Sequence, residues 1–188
     1  MGSGKGAIAD NLVKRGLKYI SLSDIVRSEA AKRNVLNTRE NLQAIGNELR
    51  EKHGAGVLGM RIREEIRNDP TTKYWVIDGI RNPAEVEELR KLGYFYLLGV
   101  TAKKETLIKR LMDRKRETEL TEAEVRATLD KETGKGEPAS GQQISKCLDT
   151  CDFLIINEGT FVDLEKKINH FIGLLSGTDR PSFDETFM

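Results

Sequence analysis

The stretch that decides the fold class is MGSGKGAIAD, residues Met1–Asp10. Its Gly2–Lys5 segment matches the end of the phosphate-binding loop pattern G-x-x-x-x-G-K-[ST]. A flexible, tag-like start is the alternative interpretation of a glycine-serine beginning. We favour the phosphate loop because a helix follows at once, with Ile8 and Leu12 on one apolar face.

The chemistry of such a loop explains the glycines. Backbone N–H groups can surround a phosphate only where no Cβ intervenes, and the following helix adds the partial positive charge of its N-terminus. A lysine at the start of that helix reaches the β- and γ-phosphates of a nucleoside triphosphate. The predicted nucleotide-binding residues are Gly2, Ser3, Gly4, Lys5, Gly6 and Ala7.

Two positions depart from the pattern. The Ser or Thr that normally follows the lysine and holds Mg²⁺ is replaced by Gly6, and the next residue is Ala7. Neither side chain carries a hydroxyl group. The loop therefore predicts phosphate binding more strongly than it predicts catalysis.

Composition limits the class of protein. The chain has 188 residues, with 31 basic and 30 acidic side chains, so we expect one domain or one domain with a small lid. Nearly balanced charge argues against nucleic-acid binding by a basic surface, and no apolar run approaches the ~20 residues of a membrane span. Two cysteines, Cys147 and Cys151, make no disulfide framework, which favours a reducing compartment and hence the cytoplasm.

Apolar strand-like runs alternate with helical stretches along the chain. The runs are LKYISLS (17–23), YWVIDG (74–79), YFYLLGV (94–100) and DFLIIN (152–157). Thr38 and Pro83 mark helix starts, the first as an N-cap and the second as a first-turn proline. Strands separated by helices predict an α/β fold with a parallel sheet flanked by helices.

Carboxylates and arginines follow two of these strands. Asp24 comes after the first run and Asp78 ends the second, with Arg27 and Arg81 each three residues further on. Ligands of open parallel sheets bind beyond the carboxyl ends of the strands. We therefore expect the two carboxylates to hold the water shell of Mg²⁺ or accept a hydroxyl proton, and the two arginines to meet phosphate.

A second arginine group lies on the helix after the third run. Arg110 and Arg114 are four residues apart and share a helix face, with Arg116 close behind. The polar, glycine-containing residues 117–145 that follow are predicted to form a lid. Each arginine alone would be interpreted as a solvated surface charge, and Asp-Gly as an ordinary turn; the order of the whole set is more specific.

Three segments resemble one family. SLSDIVRSEA (21–30), IDGIRNPAEVEEL (77–89) and RLMDRKR (110–116) are similar to the nucleoside monophosphate kinase group of P-loop proteins, in its adenylate-kinase-like and dephospho-CoA-kinase-like branches. The resemblance spans Gly2–Gly177. It implies a P-loop NTPase fold with a helical monophosphate-binding insertion, the lid, and Mg²⁺ with ATP or another nucleoside triphosphate as cofactor.

The resemblance also assigns roles to residues. It implies that Gly2–Gly6 cradles the donor phosphates. It places the acceptor phosphate and the metal at Asp24, Arg27, Asp78 and Arg81, with Mg²⁺ held through water, and the transferring group at Arg110 and Arg114. The expected catalytic residues are Lys5, Asp24, Asp78, Arg110 and Arg114. In that fold a central strand precedes the loop, so we expect this strand and the loop's first glycine to fall before Met1.

The last residues suggest a partner domain. RPSFDETFM (180–188) resembles the first residues of the deoxycytidylate deaminase domain, which in a group of fusion proteins follows a P-loop kinase-like domain. We therefore expect a kinase-like domain over 1–177, and over 178–188 a linker with the start of a deaminase-like domain in the same polypeptide.

Zinc is not expected within this chain. Zinc deaminases need H-x-E and P-C-x-x-C, whereas the two cysteines here are spaced C-x-x-x-C and the only histidines are His53 and His170. Both cysteines are interpreted as small buried apolar residues, and deamination would reside beyond Met188.

Three functions remain open. The first is a nucleotide-binding domain that regulates an attached deaminase, which Gly6 and Ala7 favour. The second is an active kinase that transfers phosphate from ATP to a nucleoside monophosphate, which the arginine set favours; a scaffold with a vestigial loop is a third, weaker reading. The base and sugar of the ligand, and any homo-oligomer, are left open.

Overall fold

A computed structural model describes residues 2–114 and 121–177. Within these residues it contains nine helices and four short strands. In chain order they are α1 (Lys5–Lys14), β1 (Lys18–Ser21), α2 (Leu22–Lys32), α3 (Arg39–His53), α4 (Val57–Arg67), β2 (Trp75–Asp78), α5 (Pro83–Arg90), β3 (Leu98–Thr101), α6 (Lys104–Arg114), α7 (Glu122–Thr133), α8 (Ile144–Asp149), β4 (Phe153–Ile156) and α9 (Phe161–Ser176).

The strands form two parallel pairs. β1 pairs with β2, so that Ser21 lies opposite Asp78, and β3 pairs with β4, so that Thr101 lies opposite Ile156. Helices connect the strands of each pair, as parallel pairing requires. The predicted α/β fold with parallel strands flanked by helices is confirmed.

A cavity of about 860 Å³ separates the two pairs. Every residue of β2 and of β3 lines this cavity, whereas none of β1 or β4 does, so β2 and β3 are the inner strands. No described strand lies between them. Apolar side chains of α1 and α9, among them Ile8, Leu12 and Phe171, form other parts of the wall.

Two clusters of buried side chains hold the helices to the strands. Leu22, Leu58, Ile62 and Leu89 are 0–1% exposed and form the centre of a cluster that packs α2, α3, α4 and α5 together. The second cluster packs the apolar faces of α1 and α9 against β4, and its most buried member is Ile168 of α9. Burying side chains of this size contributes roughly 1.5–3 kcal/mol each, so these two clusters account for the placement of α1–α5 and α9. Two smaller clusters pack α6 against α7 and α5 against α8.

The predicted helix starts are confirmed. Thr38 is the N-cap of α3, and its hydroxyl oxygen accepts a hydrogen bond from the Asn41 backbone N–H at 3.3 Å. Pro83 is the first residue of α5, whose N-cap Asn82 forms a reciprocal capping box with Glu85. These caps satisfy N–H groups that the first helical turn leaves without partners.

Several predicted features fall partly or wholly outside the described residues. These are the start of the expected lid (residues 117–120), Arg116, the side chain of Arg114, and the deaminase-like residues 178–188. The remaining part of the expected lid contains α7, the following loop and the start of α8. That loop contacts α5, because the Asn82 amide donates to the carbonyls of Ala139 and Gly141 at 2.8 and 2.9 Å. The domain boundaries and the mobility of the lid stay predictions.

In the part of the chain that the structure describes, no helix has the length and apolar character needed to cross a membrane.

Candidate functional site

The phosphate loop is built for close approach of a ligand to the backbone. Gly4 caps α1 with φ of 100°, a left-handed conformation that favours glycine, and no side chain caps the helix. A Cβ at Gly4 would lie 2.6 Å from the amide nitrogen of Asn157. The first N–H groups of α1 are therefore presented to an incoming anion, as the glycine pattern predicts.

The loop is fixed from the side of β4 and α6. The Asn157 amide donates to the Ser3 carbonyl at 2.8 Å. The Arg110 guanidinium donates to three backbone carbonyls: Asn157 at 2.9 Å, Gly159 at 3.1 Å and Gly2 at 3.4 Å. Arg110, expected to clamp the transferring group, thus holds the backbone at the start of the loop in this structure.

Lys5 and Asp78 form an ion pair across the mouth of the loop. The Asp78 carboxylate also accepts from the Tyr19 hydroxyl at 3.1 Å and from the Gly79 N–H at 2.6 Å. Burial would raise the pKa of Asp78, but the Lys5 ammonium and these two donors bring that pKa below its ordinary value. Asp78 is therefore ionised at neutral pH.

Asp24, the other predicted carboxylate, pairs with an arginine of its own helix. Its carboxylate accepts from Arg27 at 2.6 Å, three residues along α2, and both side chains are more than half exposed, so the pair contributes little to stability. Burial is the main cause that raises the pKa of Tyr19, and the charges of Asp78 and Asp24 also raise it. Both predicted carboxylates therefore lie within electrostatic reach of the Tyr19 hydroxyl.

Arg81 lines the same cavity as Lys5 and Asp78. Its guanidinium donates to the Gln142 side chain at 2.8 Å and lies 3.6 Å from the Glu132 carboxylate. Glu132 also accepts from Arg39 at 2.7 Å. The sequence patterns do not single out Gln142, Glu132 or Arg39, because each of them lies far from Arg81 along the chain.

A buried carboxylate fixes the backbone of the Arg81 loop. Glu85 Oε2 accepts from the N–H groups of Arg81 and Asn82 at 2.8 and 3.0 Å. Glu85 Oε1 accepts from Arg50 at 2.8 Å, and these two side chains are 0% and 4% exposed. Burial raises the pKa of Glu85 against the opposing effect of the Arg50 charge. The pair connects α3, which contains Arg50, to the loop that follows β2.

The donor set fits a nucleotide phosphate better than a directly bound metal. Lys5, Gly4 and the start of α1 suit a phosphate, while Gly6 and Ala7 offer no side-chain oxygen. Asp78 is the ionised carboxylate nearest the loop and could hold Mg²⁺ through water. Among residues 2–114 and 121–177, no cluster of three His, Cys, Asp or Glu could hold a metal ion.

One of the two cysteines, Cys147, lines the same cavity as Lys5 and Asp78. Cys147 is buried, and burial together with the Glu85 charge raises the pKa of its thiol to about 12. Cys151 is half-buried. A protonated, buried thiol is inert, which agrees with the interpretation of Cys147 as a small apolar residue.

The glycine-lysine helix start, the parallel strands and the ionised carboxylate at a strand end define a P-loop, kinase-like domain. The family described as "AAA domain" matches residues 1–126. The chain is also 31% identical over 176 residues to a UPF0200 protein of Pyrococcus horikoshii, covering 91% of each chain. It is 33% identical to a UPF0200 protein of Aeropyrum pernix, covering 87% of this chain and 83% of the relative.

A third relative is longer. The chain is 32% identical over 176 residues to a UPF0200/UPF0201 protein of Archaeoglobus fulgidus, which covers 90% of this chain but only 52% of the relative. The chain belongs to the AAA domain family, and it also belongs to the UPF0200 family. These matches support the P-loop, kinase-like class and give no support to a deaminase fusion.

Proposed function

We propose that this chain is a nucleotide-binding domain of monophosphate-kinase type. Its loop at Gly2–Ala7 takes the phosphates of a nucleoside triphosphate, and Arg27 and Arg81 face a phosphate-bearing acceptor. The observation that carries the proposal is the Lys5–Asp78 ion pair at the uncapped start of α1, beside the cavity. When a nucleotide enters, the Lys5 ammonium leaves the Asp78 carboxylate and pairs with a phosphate instead.

Each of these residues has its own role in the proposed function. The N–H groups of α1 and the Lys5 ammonium bind and orient the donor phosphates. Arg110 and Asn157 keep the loop in the conformation that presents those N–H groups. Once Lys5 has turned to phosphate, the Asp78 carboxylate is available to the water shell of a cation, with Asp24 beside it. Bound Mg²⁺ would neutralise charge on the triphosphate.

We further propose that binding, rather than turnover, is the main activity. Gly6 and Ala7 leave no hydroxyl beside Lys5 to fix Mg²⁺ directly, so an in-line transfer is poorly aligned even where arginines hold the phosphates. A regulatory role toward a deaminase-like domain in the same polypeptide, and a cytoplasmic location, belong to this proposal. Their support is the resemblance of residues 180–188 and the cysteine usage.

The first test replaces Lys5 with alanine. We expect Lys5→Ala to weaken ATP binding by 10-fold or more, which corresponds to about 1.4 kcal/mol per factor of ten. Isothermal titration with ATP and Mg²⁺ measures the change. Lys14→Ala is the matched control, since Lys14 is an exposed lysine of the same helix. Equal affinity of the wild type and Lys5→Ala would show that the loop does not bind the triphosphate.

The second candidate function, an active kinase, is supported by the arginines at positions 27 and 81. A coupled assay with ATP and a panel of nucleoside monophosphates separates it from the first. We expect turnover near background although ATP binds. Rates on the order of 1–100 per second, which are ordinary for kinases, would replace the binding-only proposal with the kinase one.

A further inference from the structure

Glu132, in the last turn of α7, lies between two arginines from other parts of the chain. Its Oε1 atom is 2.7 Å from the Arg39 guanidinium and 3.6 Å from that of Arg81. The Glu132 side chain is only 7% exposed, while those of Arg39 and Arg81 are 38% and 31% exposed. A single buried carboxylate oxygen therefore receives two partly solvated cations.

Two members of this cluster, Arg81 and Glu132, belong to the wall of the cavity that contains the phosphate loop, and Arg39 reaches Glu132 from the start of α3. Lys5 and Asp78 line the same cavity. Arg81 is held on its other side by Gln142, and its backbone is fixed by Glu85. The Arg81 guanidinium is thus aimed at Glu132 by contacts that do not depend on Glu132 itself.

The chemistry of the cluster matches that of a phosphate site. Guanidinium groups bind carboxylates and phosphates with the same fork of N–H donors. A phosphate monoester brings more negative charge and one more oxygen than a carboxylate, so it can satisfy both arginines together. Glu132 offers one oxygen to both arginines, whereas a phosphate can offer a separate oxygen to each of them.

We propose that Arg39 and Arg81 form the binding site for the phosphate of a phosphate-monoester acceptor, and that the Glu132 carboxylate occupies this site until the acceptor displaces it. The acceptor's identity as a nucleotide rests on the proposed function; the competition between phosphate and Glu132 does not. Displacement releases the end of α7, so phosphate binding loosens the contact between α7 and α3.

A purely structural ion pair would give different results. If Glu132 only anchors α7 to α3, then neutralising it lowers stability and leaves phosphate affinity unchanged. If Glu132 competes with phosphate, neutralising it raises phosphate affinity. The sign of the affinity change is therefore decisive.

The experiment uses Glu132→Gln, which keeps the shape of the side chain, and Arg39→Ala. Both are made in the Lys5→Ala background, so that the phosphate loop contributes little to the signal. Inorganic phosphate and a panel of nucleoside 5′-monophosphates are titrated separately by calorimetry. We expect Glu132→Gln to bind at least fivefold more tightly and Arg39→Ala at least fivefold more weakly. Glu122→Gln and Arg126→Ala, a paired carboxylate and arginine on the exposed side of α7, are the matched controls.

The two kinds of ligand distinguish the source of the phosphate. A change for inorganic phosphate alone supports a site for free phosphate, and a larger change for a monophosphate supports a nucleotide acceptor. Affinities that are the same in all variants, or no binding of any probe, overturn the proposal. Neither result affects the ATP titration of Lys5→Ala, so failure here is separable from failure of the proposed function.

Hydrogen exchange on the unmodified protein gives a second readout that needs no variant to fold. Saturation with the tightest-binding probe is expected to lower amide protection at the C-terminal end of α7, around Asp130–Gly134, as Glu132 leaves its arginines. Unchanged or increased protection there would contradict displacement. Wild-type protein without ligand is the reference.

Discussion

Glu85→Ala is expected to lower the free energy of unfolding by about 3–5 kcal/mol, the usual cost of removing one partner of a buried ion pair. The substitution leaves the Arg50 guanidinium, only 4% exposed, without its carboxylate. It also removes the acceptor for the N–H groups of Arg81 and Asn82. Each loss leaves a buried polar group without a partner, which costs more than the bond itself contributed.

Chemical denaturation followed by circular dichroism measures this change. Glu87→Ala is the matched control, because Glu87 is an exposed glutamate of the same helix, and a surface change of this kind stays within about 0.5 kcal/mol. An apolar double variant, Arg50→Met with Glu85→Leu, should recover part of the loss, since no charge is then left unpaired. It should not recover all of it, because the two N–H groups still lack their acceptor. A loss below about 1 kcal/mol for Glu85→Ala would mean that water or another group replaces the carboxylate.

The sequence patterns predicted the fold well where the signals are local. The four apolar runs became the four strands, and Thr38 and Pro83 begin helices as expected. Such signals depend on neighbouring residues only: a run of apolar side chains, a hydroxyl before a helix, a proline in its first turn. Lys5 and Asp78 form an ion pair, as expected for residues at the edge where the carboxyl ends of parallel strands meet, and their roles toward a ligand stay predictions.

The rest of the site could not be predicted, because it depends on long-range packing. Arg39 and Glu132 are 93 residues apart, and no periodicity relates them. Arg110 was expected to meet a phosphate, but its partners here are backbone carbonyls, which leave no mark in a side-chain pattern. Tyr19 of β1 lies opposite Val76 of β2. Its contact with Asp78, two residues further along β2, therefore depends on the register of the two strands, which the sequence patterns do not give.

An apolar segment of about six residues, added ahead of Met1, is expected to raise the midpoint of thermal unfolding by roughly 10 °C. The reason is the cavity between β2 and β3, whose facing strand edges belong to different pairs. A strand between them would gain hydrogen-bonded neighbours on both sides, at the usual spacing of about 4.8 Å. Ser3 lines this cavity and Lys5 pairs with Asp78 at the carboxyl end of β2, so a segment that ends at the loop would run parallel to β2.

The size of the effect follows from two opposing terms. Full burial of a Val or Ile side chain contributes roughly 1.5–3 kcal/mol, while ordering each residue costs about 1.5 kcal/mol. Six such residues leave a gain between about 0 and 9 kcal/mol, with a midpoint of about 4.5 kcal/mol. For a chain of this length each kcal/mol shifts the midpoint of thermal unfolding by about 2–4 °C.

Calorimetry measures the shift, and emission of the single tryptophan, Trp75, reports on the cavity that it lines. A Gly/Ser extension of equal length controls for added chain, and an apolar extension with a central proline controls for the backbone hydrogen bonds that a strand must donate. If all three extensions give the same midpoint, the cavity does not accept a strand. If only the apolar one stabilises, the phosphate loop becomes continuous with a strand held on both edges. Its N–H groups would then be fixed before ligand arrives, and ATP should bind that variant more tightly than the unextended chain.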